Sequence, residues 1–393
     1  MNSALSSAQP LPLQTDASHP HVVISTFVRD STASIVALAL GGIGCRVTRW
    51  MMADYPLRQT ISCRIDNSST LHNTVTGVGI ADSMDLCDVY WRRRYAPPCL
   101  DESLLQPDDV AVVKRETEAF VQAYLGVMAP HARHINPEAA ARNADNKLIQ
   151  LRVARAVGLS IPTTLFSNEP QAVHDFVTEH GDGAVIHKHL RSQDWHEQGR
   201  SFTAFTARVR RSDLPEDSRL LQTIPGTYQV AVPKHREIRA VMFGSYCLAA
   251  EIDSNADPTG HDDWRATINR QGAWQPHALA QTIVAKLADY MQRLGIVFGS
   301  ADLILTPTGD YVFLEMNEQG QFLWLESDCP QLPVLDAFCR LIVEGEGFQD
   351  RPRSFPEISL HESRFSHAAV LAIAQRDLES HRICIRNGSA LMG

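Results

Sequence analysis

The chain has 393 residues, of which 44% are hydrophobic and 21% are charged. That length is too great for a single hydrophobic core and predicts two or three packed subdomains. The formal net charge of −9 argues against a general nucleic-acid binder.

The cysteines and the amino terminus indicate a compartment. The eight cysteines form no C-x-x-C pair, which argues against a zinc site or a thioredoxin-type motif and favours reduced thiols. No apolar run approaches the roughly 18 residues that a membrane span needs. Residues 1–20 lack the basic and apolar regions of a signal peptide. We therefore expect a loose amino-terminal tail, no membrane partner and a cytoplasmic protein.

The predicted elements begin with a strand, a helix and a strand. HVVISTF at 21–27 predicts a buried strand, residues 31–43 a helix, and CRVTRW at 45–50 a second strand. This order indicates a parallel α/β unit. DLCDVYWRR at 85–93 predicts a further strand, which the breaker APP ends.

The middle of the chain changes from helical to β-rich patterns. Helices are predicted over 108–126, 137–157 and 170–179, and strands at TTLFS (163–167) and AVIHKHL (184–190). Residues 201–253 carry an almost continuous β-pattern, which includes RLLQTI.

The last third combines a helix with a strand pair. Residues 277–295 predict an amphipathic helix that ends at Gly295, and residues 296–317 predict two strands around a P-T-G-D turn. Further helices are predicted over 331–345 and around 361–380. Together the elements predict α/β and α+β architecture, with an α/β amino-terminal domain, a small insert and a larger β-rich domain.

The segment DYVFLEMNEQGQ carries the first chemical signal. Alternate residues of a strand share a face, so Tyr311, Phe313, Glu315 and Asn317 are predicted to point one way. Glu315 and Asn317 then offer two oxygen ligands, and Asp302 on the preceding strand offers a third. Three oxygen donors leave room around Mg²⁺ for nucleotide phosphates. The alternative for E-x-N alone is a solvated strand face, but Asp302 within an apolar strand favours the metal site.

Four cationic side chains are candidates for phosphate contacts. Lys188 lies inside an apolar strand, where a lysine is rarely buried without an anionic partner; an edge-strand lysine is the alternative. Lys147, in a predicted helix, is a weaker candidate. Arg239 is flanked by apolar residues and offers a donor fork, unless it only pairs with Glu237. Arg265 in DDWRAT is the fourth candidate, with a surface loop as the alternative.

Several nucleotide and hydrolase motifs are missing from the sequence. Walker A and G-x-G-x-x-G motifs are absent, which argues against a P-loop NTPase and a Rossmann dehydrogenase. G-x-S-x-G and H-E-x-x-H are absent as well.

In the segments that carry the candidate phosphate and metal contacts, the sequence resembles the ATP-grasp superfamily. It resembles more closely the microviridin-type graspetide ligases, which crosslink ribosomally made peptides. The resemblance spans roughly residues 21–345. Its five pieces occur in order and are HVVISTFVRDSTASIVALAL…CRVTRW, CDVYWRRRYAPP, NADNKLIQLRVARAVGLSIPTTLFSN, TYQVAVPKHREIRAVMFGSYCLAAEID with DDWR, and DLILTPTGDYVFLEMNEQGQFLWLE.

The resemblance implies an ATP-grasp fold in five segments. These are a tail (1–20), a pre-ATP-grasp domain (21–135), a central subdomain with a peptide-binding hairpin (136–225), a C-terminal ATP-grasp subdomain (226–345) and an extension (346–393).

The resemblance also implies a role for each site residue, with ATP and Mg²⁺ as cofactors. Phosphate contacts fall on Lys147 and Lys188, adenine contacts on the backbone of Gln229, Val230, Ala231 and Val232, catalytic contacts on Arg239, Arg265 and Lys188, and Mg²⁺ ligands on Asp302, Glu315 and Asn317. Two positions depart from the family. Val230 stands where relatives usually carry a glutamate, and the loop after Lys188 holds one glycine, Gly199.

In the family, a carboxylate attacks the γ-phosphate of ATP, and an amine or hydroxyl then displaces phosphate. A leader peptide docks on a hairpin and helix that correspond here to residues 191–222, which are locally basic. We expect Arg208, Arg210 and Arg211 to bind a precursor peptide rich in Asp or Glu, with a solvated arginine face as the alternative. The resemblance also suggests a homodimer.

Two other functions stay open at this stage. One is an ATP-grasp ligase of small amino acids or dipeptides, similar to glutathione synthetase. The other is a nucleotide-binding scaffold without catalysis. Four intact residues argue against it: Lys188, Asp302, Glu315 and Asn317.

Overall fold

The computed structural model describes residues 19–67, 71–77, 80, 86–93, 97–190, 194–197, 200–203, 206–256 and 273–381. The chain divides into two compact units. The discontinuous unit consists of Met1–Glu138 and Leu335–Gly393, and the middle unit is Ala139–Val334.

The amino-terminal part of the discontinuous unit contains a parallel α/β layer. Its elements are β1 (His21–Thr26), α1 (Ser31–Gly42), β2 (Arg46–Met51), β3 (Gln59–Ile65), β4 (Leu71–Gly77), β5 (Val89–Arg92), α2 (Val110–Leu125) and β6 (Arg133–Ile135). The parallel sheet has the order β2-β1-β5-β6, and β3 and β4 form a separate antiparallel pair. Residues Val22, Val23 and Ile24 are completely buried, as expected for a central parallel strand. The predicted strand–helix–strand start is confirmed.

A buried ion pair joins the β1–α1 turn to the end of β5. Asp30 caps α1 by accepting a hydrogen bond from the N–H of Ala33 at 3.0 Å. The same carboxylate accepts from Nε of Arg93 at 3.0 Å, and both side chains are almost fully buried. The pair therefore holds the first turn of α1 against the sheet.

The middle unit contains two antiparallel sheets and a hairpin. Its elements are α3 (Glu138–Ala144), α4 (Lys147–Ala156), β7 (Thr164–Ser167), α5 (Pro170–His180), β8 (Val185–Lys188), β9 (Asp194–Glu197), β10 (Arg200–Thr203), β11 (Ala207–Val209), α6 (Ser218–Thr223), β12 (Gly226–Val230), β13 (Arg236–Phe243), β14 (Tyr246–Ile252), β15 (Gln275–Pro276), α7 (Gln281–Leu294), β16 (Phe298–Leu305), β17 (Tyr311–Asn317) and α8 (Trp324–Asp328). The smaller sheet has the order β11-β8-β12-β7, the larger sheet has the order β15-β14-β13-β16-β17, and β9 pairs with β10.

Each sheet of the middle unit packs one face against helices. The larger sheet buries Ile238, Leu303 and Phe313 together with Leu287 of α7. The smaller sheet forms a separate cluster with α5, centred on Val177 and other buried aliphatic side chains. Arg239 and Asp302 lie outside the first cluster, on the opposite face of the larger sheet.

Two sequence predictions about this unit are wrong. Residues 137–157 form two helices because Asn146 starts a new one: its Oδ1 accepts from the N–H groups of Leu148 and Ile149 at 3.0 and 3.2 Å. RLLQTI, predicted as a strand, lies largely in α6, where Asp217 accepts from the N–H of Arg219 at 3.1 Å. In both cases an N-cap side chain outweighs the pattern of the residues that follow.

The carboxy-terminal part of the discontinuous unit packs on the α/β layer. Its helices are α9 (Val334–Glu344) and α10 (His367–Ser380). Arg49 of β2 forms two 2.7 Å hydrogen bonds with the carboxylate of Asp377. The ring of Trp91 lies 4.6 Å from that of Phe338, measured between centroids. Residues after 346 therefore include a helix anchored to the unit's first sheet.

The five predicted segments stay a prediction. The structure adds that β12 lies between β8 and β7, inside the smaller sheet. No helix among the described ranges is long and apolar enough to cross a membrane.

Candidate active site

Polar side chains gather on the face of the larger sheet that lies opposite α7. Asp302 of β16 is directly opposite Glu315 of β17 and, on its other side, opposite Arg239 of β13. Nδ2 of Asn317 lies 3.4 Å from Oδ2 of Asp302. The structure thus brings the three predicted metal ligands and Arg239 together.

A β-bulge in β17 decides which side chains reach this face. Asp302 pairs with Glu315 and Leu303 with Phe313, so Leu314 is an extra residue in β17. The prediction that Phe313 shares the face of Glu315 is therefore wrong. Phe313 is completely buried in the core beside Met316. The bulge directs Phe313 to the core and still places Glu315 beside Asp302.

Two cations neutralise the carboxylates. Nη1 of Arg239 donates to Oδ1 of Asp302 at 2.7 Å, and Nζ of Lys147 lies 3.0 Å from Oε2 of Glu315. Lys147 is the first residue of α4, directly after the Asn146 cap. The helix start therefore positions a predicted phosphate contact against a predicted metal ligand.

The surroundings of Arg239 fit an anion. The residue is 6% exposed, and its Nε is buried without a hydrogen-bond partner. A Cβ atom on Gly320 would lie 3.2 Å from Nη2 of Arg239 and 3.0 Å from Cβ of Asn317. A buried unused donor is costly unless a ligand satisfies it. A phosphate or carboxylate oxygen is the natural ligand for a guanidinium at such a position.

The donor set fits Mg²⁺ better than a soft metal. Within the described ranges, no cluster of three His, Cys, Asp or Glu side chains could hold a metal. Asp302, Glu315 and Asn317 instead offer two carboxylates and one amide. Such hard oxygen donors, too few to enclose an ion, suit Mg²⁺ that keeps phosphate or water ligands.

Lys188 and Gln229 form a polar chain on the smaller sheet. Nζ of Lys188 donates to Oε1 of Gln229 at 2.9 Å, and Nε2 of Gln229 donates to Oγ1 of Thr164 at 2.9 Å. Oγ1 of Thr164 donates in turn to the carbonyl of Pro162. Gln229 is 3% exposed. Its side chain therefore orients the lysine, a role that the sequence did not predict.

The backbone after Gln229 is partly engaged in the sheet. The N–H of Val230 donates to the carbonyl of Thr163 at 2.9 Å, and that of Ala231 donates to Ala184 at 2.8 Å. These two N–H groups are therefore already paired with neighbouring main chain.

The predicted basic residues are only partly covered by the structure. Arg265 lies outside the described residues. Arg208, Arg210 and Arg211 are exposed on and just after β11. Nη1 of Arg208 donates to the carbonyl of Gly183 at 2.8 Å. These three arginines offer positive charge to solvent and not to the carboxylates of the larger sheet.

Sequence reasoning missed several residues at the site. The side chain of Gln150 forms hydrogen bonds with the main chain of Met316, which lies between Glu315 and Asn317. The hydroxyl of Ser300, opposite Asn317, is buried without a hydrogen-bond partner. Gln150 did leave a signal, because it is polar within the buried stripe of α4. Burial, and next the charge of Glu315, raises the pKa of Tyr290 far above 10, so this phenol stays protonated.

Comparisons with known proteins identify the fold. No protein-family model matches the sequence, and a search of the curated proteins gives no match. A RiPP-associated ATP-grasp ligase of Chryseobacterium gregarium, in complex with ADP and a leader and core peptide, shares the fold. Its TM-score is 0.74 at 24% identity, covering 86% of this chain and 99% of that chain.

Two structures from Microcystis aeruginosa MRC are more similar in sequence. Macrocyclase MdnC, bound with precursor peptide MdnA, has a TM-score of 0.70 at 26% identity. Macrocyclase MdnB has a TM-score of 0.66 at 28% identity. Each comparison covers 82% of this chain and 99% of the other.

The chain has the fold of an ATP-grasp ligase. The structure places Asp302, Glu315 and Asn317, the Mg²⁺ ligands that the resemblance implied, on one strand pair with Arg239 beside them. One of the structures with this fold is a RiPP-associated ligase, where RiPP stands for ribosomally synthesised and post-translationally modified peptide. MdnB and MdnC are among the chain's structural neighbours.

Proposed function

We propose that the chain is an ADP-forming ligase that joins carboxylates of a precursor peptide to hydroxyl or amine groups of the same peptide. The observation that carries this proposal is the arrangement around Asp302. Two carboxylates, an amide and a buried arginine with an unused donor share one sheet face. That combination suits a nucleoside triphosphate whose terminal phosphate is transferred.

Each side chain has a role in the proposed transfer. Asp302, Glu315 and Asn317 would hold Mg²⁺, which supplies positive charge to the phosphate oxygens when it is bound. Nε of Arg239 would donate to an oxygen of the transferred phosphate, where negative charge increases in the transition state. Lys147 would exchange its contact with Glu315 for a phosphate oxygen.

Lys188 would bind the nucleotide phosphates from the other sheet. Its amine is held by the side chain of Gln229, and Thr164 fixes that amide in turn. A lysine held in this way loses less conformational entropy when it binds phosphate. Catalysis in this proposal is mainly positioning and charge neutralisation.

The proposed reaction has two steps, phosphoryl transfer to the carboxylate and attack of the nucleophile on the acyl-phosphate. An oxygen of the peptide carboxylate bonds to the γ-phosphorus, the bond between that phosphorus and the bridging oxygen breaks, and ADP leaves. A hydroxyl or amine of the peptide then attacks the acyl carbon, inorganic phosphate leaves, and the nucleophile loses its proton to phosphate or solvent. The peptide loses one water for each ester or amide bond.

A peptide substrate is favoured over a small amino acid. MdnC was solved with a precursor peptide and the Chryseobacterium ligase with a leader and core peptide. The exposed side chains of Arg208, Arg210 and Arg211 offer positive charge to an acidic peptide on a chain whose net charge is −9. Small-molecule ligation is the second candidate and has no such surface to support it.

Compartment and organisation complete the proposal. Seven cysteines in the described part of the chain are free thiols, which suits the reducing cytoplasm. The five predicted segments and a homodimer are part of the same proposal.

The test is ADP release from ATP and Mg²⁺ with and without short peptides encoded beside the gene. We expect one peptide to stimulate ADP release and to lose the mass of one water for each bond. Turnover with amino acids and with none of the peptides would instead support small-molecule ligation. No ADP release with either would contradict the proposed activity.

A further inference from the structure

The strand that carries Glu315 and Asn317 is the last strand of its sheet. β17 pairs with β16 on one side, so the backbone groups on its other side need different partners. Near the start of the strand, the N–H of Phe313 donates to the carbonyl of Ser160 at 2.8 Å. Near its end, the partner is the side chain of Gln150.

The amide of Gln150 pairs with Met316 as a neighbouring strand would. Oε1 of Gln150 accepts from the N–H of Met316 at 2.8 Å, and Nε2 donates to the carbonyl of Met316 at 3.0 Å. Nε2 also donates to the carbonyl of Ala144 at 2.6 Å. The reverse amide orientation would oppose donor to donor and oxygen to oxygen, so the network defines this one.

Gln150 is buried and lies at a junction of three elements. The residue is only 4% exposed, so water competes little for these hydrogen bonds. It connects α4, which carries it, to the end of α3 at Ala144 and to β17 at Met316. Three of the hydrogen-bonding positions of its amide are filled, which fixes the side chain in one orientation.

Met316 is the residue between two candidate metal ligands. A displacement of its peptide groups would move Glu315 and Asn317 together. The bulge at Leu314 makes the strand irregular just before this point, and a bulge weakens the regular ladder. The strand end that carries the ligands is therefore held by Gln150 in addition to β16.

The same helix also touches the site directly. Lys147 lies three residues before Gln150 on α4, and its Nζ is 3.0 Å from Oε2 of Glu315. One rigid helix thus contacts the ligand strand at a side chain and at the main chain.

We propose that Gln150 is a positioning residue for the metal site, which holds Glu315 and Asn317 at the spacing that a divalent cation needs. This inference rests on the proposed function. Residues that orient metal ligands without touching the metal typically contribute about 10- to 100-fold in metal affinity. Gln150 acts on the metal ligands and not on the nucleotide base or ribose. Its loss should therefore lower the affinity for the divalent cation and leave the affinity for ADP without metal unchanged.

The test uses the full chain, with Mn²⁺ as the probe for the divalent cation. Binding of Mn²⁺ in the presence of ADP is titrated by electron paramagnetic resonance, and binding of ADP without metal by calorimetry. Gln150→Met keeps the shape of the side chain and removes all three hydrogen bonds. Gln171→Met is the matched control, because Gln171 is an exposed glutamine on α5.

We expect Gln150→Met to weaken Mn²⁺ binding by about 10- to 100-fold, while affinity for ADP without metal and the Gln171→Met control stay unchanged. A purely structural role would lower both affinities or neither. If Gln150→Met fails to fold, Gln150→Asn answers the question, because its amide is one methylene too short to span Met316 and Ala144. We expect a smaller loss of Mn²⁺ affinity in that variant.

Three results would overturn the inference. A folded Gln150→Met or Gln150→Asn protein with wild-type Mn²⁺ affinity would show that Gln150 does not position the ligands. An equal loss of ADP affinity without metal would show a general structural defect. If the wild type binds ADP but no Mn²⁺, the metal assignment in the proposed function fails, and the inference falls with it.

Discussion

Arg239 and Asp302 face each other on neighbouring strands, and Nη1 of the arginine donates to Oδ1 of the aspartate at 2.7 Å. The arginine is 6% exposed, and its Nε is buried without a hydrogen-bond partner. Asp302 thereby holds the guanidinium in one orientation while the Nε donor stays available to a ligand. Asp302 serves the arginine as well as the proposed metal.

Arg239→Lys tests that unused donor. Lysine keeps the charge but has no fork, so it cannot contact Asp302 and a phosphate oxygen in the same way. Loss of one donor to the developing charge predicts a fall in the rate of ADP release of about 100- to 1,000-fold at saturating ATP and peptide. Arg236→Lys, on the same strand and paired with Asp253, is the control. A wild-type rate for Arg239→Lys would contradict the role of Arg239.

Glu315→Gln tests the metal assignment. The substitution keeps the size of the side chain and removes the charge that the cation and Lys147 share. We expect loss of metal-dependent ADP release and an unchanged circular dichroism spectrum, because Glu315 lies on the face opposite the core. Asp289→Asn on the exposed side of α7 serves as the control. Wild-type dependence on Mg²⁺ concentration in Glu315→Gln would exclude this carboxylate as a ligand.

Reversal of charge at Arg208, Arg210 and Arg211 tests the peptide surface. Replacement of all three by glutamate should weaken binding of an acidic precursor peptide and leave ADP affinity unchanged. Because exposed charges are screened by salt, the wild-type peptide affinity should also fall as ionic strength rises. Fluorescence anisotropy of a labelled peptide measures both effects, with Arg293→Glu on α7 as the control. Unchanged peptide affinity in the triple variant would reject this surface.

His187 should make stability depend on pH. Burial, and next the nearby His189, lowers the pKa of His187 below its ordinary 6.5. The unfolded chain therefore binds this proton at a higher pH than the folded chain, so the free energy of unfolding rises with pH. The penalty is complete below the folded pKa and is lost above about pH 6.5.

Urea unfolding at a series of pH values measures that contribution. His187→Gln should reduce the slope of unfolding free energy against pH below about pH 6.5, and the exposed His131→Gln should not. Some slope should persist in His187→Gln, because burial also lowers the pKa of His21. Equal slopes in His187→Gln and the wild type would contradict the prediction.

The carboxy-terminal helix should depend on Asp377. Its carboxylate accepts two hydrogen bonds from Arg49, and it is almost completely buried. Asp377→Ala should lower the free energy of unfolding by about 1–3 kcal/mol, because the guanidinium loses a buried partner. Limited proteolysis should then cleave the chain near α10 more readily than in the wild type. Glu379→Gln on the exposed side of α10 is the control, and equal protease sensitivity of Asp377→Ala and wild type would contradict this prediction.

Much of the site was accessible from residue type and strand pattern. Asp302 and Lys188 stood out because each is charged within an apolar strand, and the E-x-N spacing of Glu315 and Asn317 is visible in the sequence. The order of elements in the α/β layer was likewise predictable, since buried parallel strands read as continuous apolar runs. These features are local and need no knowledge of distant contacts.

Other features had no local signal of sufficient strength. Strict alternation placed Phe313 beside Glu315, and only pairing with Leu303 and Asp302 shows the bulge that separates them. The apolar residues of 218–223 predict a strand, whereas in the structure Asp217 caps a helix there. Side-chain partners distant in sequence, such as Gln150 and Met316, cannot be read from periodicity.

The sequence by itself determined which residues are chemically able to bind phosphate and a hard cation, and the order in which the strands and helices follow. Those properties depend on side-chain chemistry and on patterns within a few residues. Only the tertiary structure decided that Arg239 pairs with Asp302, that Gln229 holds Lys188, and that an amide on a helix supports the edge strand of the metal ligands. These are contacts between groups far apart in sequence, and they exist because folding places buried donors and acceptors where only each other can satisfy them.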